Sequence, residues 1–152
     1  MIRSDKRLRL CKILLVCILA FIWGNSLLPG EVSGAFSDWV KSVLERILPA
    51  GPESQTSGGL LRKIAHFTEF TALGMTLGWL FGMLRKKPYW PVLFGIAAAC
   101  MDETIQRFVP GRGPSVRDVV IDSSGVLTGL ILLHLGHTYC KYRKTNNPME
   151  DK

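Results

Sequence analysis

The chain has 152 residues, a typical length for one domain and short for two. It is 47% hydrophobic and still 20% charged, with a mean hydropathy of +0.21, so its apolar and charged residues must be segregated along the chain. The net charge of +7 does not indicate nucleic-acid binding, because the Lys and Arg residues flank apolar runs, as they do in membrane proteins.

Four apolar segments predict transmembrane helices, since a bilayer core of about 30 Å needs about 20 helical residues. The first segment follows a basic tail and is ended by Pro29. As a cleaved signal peptide it would be unusual, because its small-residue site lies far beyond the apolar core. We therefore predict an all-α fold, a four-helix transmembrane bundle that forms a single domain over residues 1–152. The predicted helices span about 10–28, 63–84, 89–108 and 117–139.

An additional amphipathic helix is predicted between the first and second membrane segments. Apolar residues recur there at i, i+3, i+4 and i+7, and charged residues take the opposite face. Such a helix lies at the membrane interface, either as an anchor alone or as a cover over a site. The apolar positions are Phe36, Trp39, Val40, Val43, Leu44, Ile47 and Leu48.

The distribution of positive charge predicts the orientation. Twelve of the 19 Lys and Arg residues lie in the two tails and in the loop after the second membrane helix. Because cytoplasmic segments carry the excess of positive charge, both termini are expected in the cytoplasm. The predicted location is the cytoplasmic membrane, crossed several times.

Polar residues within the apolar helices gather near one end of each helix. With both termini inside, the second and fourth helices begin at the outer face and the third finishes there, so their polar ends converge on that face. Ionisable residues inside membrane segments are functional candidates by default. The predicted ligand-binding set is Lys63, His66, Glu69, Asp102, Glu103, Gln106, Arg112, Ser115, Asp118 and Asp122.

Small residues share the helix faces that carry these polar groups, which predicts that the carboxylates point into the bundle. On the third helix the shared face holds Gly95, Ala98, Asp102 and Gln106, and on the fourth it holds Asp118, Asp122, Gly125 and Gly129. The second helix has a glycine face formed by Gly74, Gly78 and Gly82.

The chemistry of the predicted site is left open by the residues. Glu69 or Glu103 could act as a general base with His66 as the acid, but no nucleophile is evident, so an enzyme is not established. His and carboxylates suit a divalent metal, yet no metal-binding spacing is present, and no metal ligand or cofactor is predicted. The alternative is a structural network in which the polar cluster only fixes helix packing.

Several linked motifs resemble the VanZ-like family of small bacterial membrane proteins. They are "RKIAHFTEFTALG" and "DETIQRFVPGRGPSVRDVVIDSSGVLTG", within about 62–129. Phe70 stands where the family often has Tyr, and Asp122 where it often has Asn. The resemblance implies a polytopic membrane protein with a role in resistance to the glycopeptide teicoplanin, but it implies no reaction.

The expected partner is therefore a membrane lipid or the head group of a cell-wall precursor at the outer leaflet. Arg112, Lys63 and His66 would hold its anionic group, because Arg suits bidentate phosphate binding. Association into a homo-oligomer stays open.

Overall fold

The computed structural model describes residues 2–47 and 58–146, and within these ranges it holds five α-helices and no strand. The all-α prediction is confirmed. The second helix is the predicted amphipathic helix, although its predicted apolar position Leu48 lies outside the described residues. The other four correspond in position to the predicted membrane segments. The helices are α1 (Ile2–Ser26), α2 (Gly30–Ile47), α3 (Gly58–Met83), α4 (Tyr89–Gln106) and α5 (Val116–Asn146).

The corner between α1 and α2 is fixed by proline and glycine. α1 ends at Ser26, two residues earlier than predicted, because the residues before Pro29 are disfavoured in a helix. α2 then begins at Gly30, whose backbone N–H donates to the carbonyl of Pro110 at 3.1 Å. A side chain at Gly30 would collide with the backbone of Gly111, which has a positive φ of 74°. The loop between α4 and α5 is thus held against the α1–α2 corner.

The closest helix pair is α3 with α5, and glycines allow its approach. A Cβ at Gly74 would strike the carbonyl of Val126, and one at Gly129 would strike the carbonyl of Thr71. The predicted packing role of the glycines on α5 therefore agrees with the structure. On α3 the prediction fails for Gly82, because a Cβ there would meet no atom within 4 Å.

The interior of the bundle is small, and much of its outer surface is apolar. The buried core consists of Ile22, Phe70, Leu73, Leu77, Ala98, Ala99 and Val126. Large apolar side chains on α1, α4 and α5 remain exposed, among them Leu10, Leu93 and Ile131. Exposed apolar area of this extent is unusual for a soluble monomer.

Within the described residues, two helices are long and apolar enough to cross a bilayer. They are Asp5–Ser26 and Val116–Arg143, each with an 18-residue stretch whose mean hydropathy is 1.8 and 1.7, respectively. α3, α4 and the start of α5 carry the ionisable residues described below.

Candidate functional site

Four helix ends meet at one end of the bundle. α1 and α4 finish there, and α3 and α5 begin there, and side-chain hydrogen bonds join these ends. The structure brings the polar residues of these ends together, and Asp102, Glu103, Gln106 and Asp122 are all buried.

A hydrogen-bond network joins α1 to α4. The Ser26 hydroxyl donates to Asp102 Oδ1 at 2.6 Å, and the Gln106 amide donates to Asp102 Oδ2 at 2.8 Å and to Ser26 Oγ at 3.2 Å. Both oxygens of the fully buried Asp102 are therefore engaged. These bonds lower the cost of burying the carboxylate, which would be large without partners.

A second set of bonds ties α1 to α3 and to the loop between α4 and α5. The Asn25 side-chain amide donates to Glu69 Oε1 at 3.0 Å, and Arg112 Nη2 donates to the Asn25 carbonyl at 3.1 Å. The other oxygen of Glu69, and the Nε and Nη1 atoms of Arg112, are buried without a hydrogen-bond partner among the described residues. The Arg112 side chain is thus positioned by one hydrogen bond, and two of its three nitrogen atoms have no hydrogen-bond partner among the described residues.

Glu103 links α4 to the start of α5. Its Oε2 accepts the backbone N–H of Ser115 at 2.6 Å, while its Oε1 is buried with no partner among the described residues. Ser115 directly precedes α5, so Glu103 satisfies one of the free N–H groups near that helix start. Ser115 contributes its backbone to this contact.

His66, Asp102 and Asp122 face one another from three different helices. His66 Nδ1 lies 3.7 Å from Asp102 Oδ2 and 4.0 Å from Asp122 Oδ1. Both distances are too long for hydrogen bonds. Asp122 is 1% exposed, and neither of its carboxylate oxygens has a hydrogen-bond partner in the described part of the chain.

Two spaces open beside these groups. The polar cleft, about 10 Å³ in volume, has room for about one water molecule. It is lined by Arg62, Lys63, His66, Glu103, Gln106, Asp118, Ile121 and Asp122. Lys63 and Asp118 therefore join the site at its rim.

The second space, the apolar cavity, measures about 300 Å³ and lies between α2, α3 and the end of α1. His66 lines both spaces and so connects them. The apolar cavity is lined by Asn25, Leu28, Ser33, Phe36, Ser37, Val40, Leu61, Arg62, Ile64, Ala65, His66, Glu69 and Arg112.

Two arginines, Arg62 and Arg112, line the apolar cavity together with Glu69. Burial lowers the pKa of Arg112 below its ordinary value, and the neighbouring Arg62 lowers it further. A guanidinium stays protonated in proteins, so two like charges share this cavity.

Three residues of the site were missing from the predicted set. Asn25 and Ser26 end the first apolar helix, and Arg62 precedes Lys63 in the predicted motif. The signal for the first two was a polar pair near the C-terminal end of an otherwise apolar run. Their partners, however, are 44 and 76 residues away in sequence.

The family model described as VanZ/LLP1 matches residues 12–137, which is most of the chain. The chain belongs to the VanZ/LLP1 family. The match includes all the residues of the predicted VanZ-like motifs and all the helix ends that form the site. No curated protein and no solved structure gives a significant match. Membership in the VanZ/LLP1 family, together with the two apolar helices, indicates a membrane protein.

Proposed function

We propose that this VanZ/LLP1 protein is a multi-pass protein of the bacterial cytoplasmic membrane that binds an anionic lipid head group at its outer face. In this proposal α1, α3, α4 and α5 cross the membrane, both termini are cytoplasmic, and α2 lies at the outer interface. The exposed apolar side chains on the outside of the bundle support contact with lipid. The basic residues of the two tails support the orientation.

The observation that carries the proposal is the guanidinium of Arg112, in which two of the three nitrogen atoms have no hydrogen-bond partner among the described residues. Its Nη2 is held by the Asn25 carbonyl, while Nε and Nη1 are buried with free donor capacity. Buried donors without partners are costly, and an arginine fork matches the oxygens of phosphate and carboxylate groups. A phosphate between Arg112 and Arg62 would satisfy these donors and reduce the repulsion between the two cations.

The walls of the apolar cavity support a lipid more than a free anion. Most of the lining is apolar, including Leu28, Phe36, Val40 and Ile64. A volume of about 300 Å³ is at the lower end for small-molecule sites, so it would take a head group and the adjoining chain atoms. The remaining chain would extend past α2 into the bilayer.

Lipid retention tests this function. The full chain would be purified in mild detergent, incubated with phosphatidylglycerol or with zwitterionic phosphatidylcholine, and examined by native mass spectrometry. Wild type should retain phosphatidylglycerol preferentially, and Arg112→Ala should lose the preference. Arg117→Ala is the matched control, because Arg117 is exposed and belongs to neither cavity lining. Equal retention by a folded Arg112→Ala would refute the proposal.

We also propose that head-group binding by this protein contributes to teicoplanin resistance in cells, since that glycopeptide acts where cell-wall lipid precursors are displayed. Expression of wild type should raise the inhibitory concentration of teicoplanin, and expression of Arg112→Ala to the same level should not. Equal resistance from both forms would separate resistance from head-group binding.

Chemistry on the bound lipid is a second candidate, favoured by the unpartnered Oε2 of Glu69, which lines the apolar cavity next to His66. A carboxylate there could act as a general base. Turnover of a candidate lipid that persists in Glu69→Gln would exclude this role.

A further inference from the structure

We infer that His66, Asp102 and Asp122 bind one divalent metal ion, Zn²⁺ or Mn²⁺, in the interior of the bundle. The inference stands on its own geometry and does not depend on a lipid in the apolar cavity.

The distances among the three side chains fit ligands that share one ion. One ligand atom from each of His66, Asp102 and Asp122 lies within 4.8 Å of the other two. His66 Nδ1 is 3.7 Å from Asp102 Oδ2 and 4.0 Å from Asp122 Oδ1. Bonds of about 2.0–2.2 Å at tetrahedral or trigonal angles put two ligand atoms about 3.3–3.8 Å apart. Separations of up to 4.8 Å would have to shorten by up to about 1 Å for all three to bond one ion.

Asp122 supplies the independent reason for an ion. It is 1% exposed, and both its oxygens are buried with no hydrogen-bond partner among the described residues. His66 Nδ1 lies 4.0 Å from Asp122 Oδ1, and a neutral imidazole offers no full charge to balance a carboxylate. A buried carboxylate is costly unless it is paired or coordinates a metal. A doubly charged cation would compensate Asp102 and Asp122 together.

The surroundings are arranged like the outer shell of a metal site. Ser26 and Gln106 donate to Asp102 and fix its orientation, as hydrogen-bonded carboxylate ligands require. The polar cleft beside His66 and Asp122 has space for about one water, which would occupy an open coordination position. One imidazole with two carboxylates suits Zn²⁺ or Mn²⁺ better than Mg²⁺, which prefers oxygen ligands alone.

Metal binding would be measured directly on the full chain in detergent, treated with EDTA, dialysed and stripped of added lipid. Equilibrium dialysis against ZnCl₂ or MnCl₂, followed by elemental mass spectrometry, should give one ion per wild-type chain. Asp122→Asn should bind more than about 100-fold more weakly, since even the loss of an outer-shell partner weakens a site 10–100-fold. Asp38→Asn is the matched control, because Asp38 is an exposed aspartate on α2. It should bind as wild type does.

Controls separate a loss of metal binding from a loss of folding and from lipid binding. Each variant would be checked by gel filtration and circular dichroism, and His66→Ala serves as the second ligand variant if Asp122→Asn does not fold. The wild type should also gain thermal stability with metal, because a ligand that binds only the folded state stabilises it. A wild type that takes up no ion above the detergent blank overturns the inference, as does a folded Asp122→Asn with wild-type affinity. Neither result bears on phosphatidylglycerol retention, which is measured without added metal.

Discussion

Substitution of Gly125 by Ala should loosen the contact between α3 and α5. The added Cβ would lie 2.6 Å from the Phe67 carbonyl oxygen and 3.1 Å from Phe70 Cβ. The first of these falls about 0.8 Å short of the 3.4 Å at which ordinary contact begins. A backbone carbonyl cannot rotate away as a side chain can, so the two helices must separate locally. Overpacking of this kind costs about 1–3 kcal/mol.

The matched control is Gly136→Ala in the same helix, where a Cβ would meet no atom within 4 Å. Both substitutions gain the same helix propensity, about 0.5–1 kcal/mol, so their difference isolates the packing cost. Unfolding by SDS in mixed micelles, followed by tryptophan fluorescence, would give the relative free energies. Gly125→Ala should be less stable than Gly136→Ala by about 1–3 kcal/mol. Equal stability of the two variants would refute the close approach of α3 and α5 at this point.

Three further predictions concern the site and the topology. Ser26→Ala removes a donor from a buried carboxylate and should cost about 1.5–3 kcal/mol in the same unfolding assay, whereas the exposed Ser124→Ala should cost little. Asn25→Asp places a carboxylate where the Asn25 amide now donates to Glu69, so the two acids would repel each other. The amount of this variant in the membrane, measured by immunoblot, should fall well below that of Asn25→Gln. A variant whose only cysteine is introduced by Gly113→Cys should react with an impermeant thiol reagent in intact cells. A variant that keeps only Cys140 should react with the same reagent only in opened cells. Labelling of Cys140 in intact cells would contradict cytoplasmic termini.

The helical content was predictable because it depends on local properties. The length of each apolar run and the 3.6-residue period specify a helix wherever they occur, whatever packs against it. Helix ends were less certain: α2 begins at Gly30, six residues before the first apolar position of the predicted pattern. That extension follows from the contact of Gly30 with the loop residue Gly111, which no local pattern encodes.

The convergence of polar residues at one end of the bundle also followed from the sequence, since alternating helix direction decides which ends meet. The burial of Asp102 and Gln106 was predictable from the small residues on the same face of α4. Gly82 has no neighbouring atom within 4 Å of an added Cβ, although it continues the glycine face of α3. A run of glycines shows which face of a helix can pack closely, but it does not show how far along that helix the neighbouring helix extends.

By itself the sequence determined that this is an all-α chain with apolar helices, and that its acids and its histidine lie near one end. Only the tertiary structure decided which atoms are paired. It joined Asn25 to Glu69, left both oxygens of Asp122 without hydrogen-bond partners among the described residues, and placed Arg112 beside Arg62 in an apolar cavity. The physical reason is that pairing depends on the rotation and separation of helices that are distant in sequence. A metal-ligand set drawn from three helices therefore leaves no spacing motif in the chain.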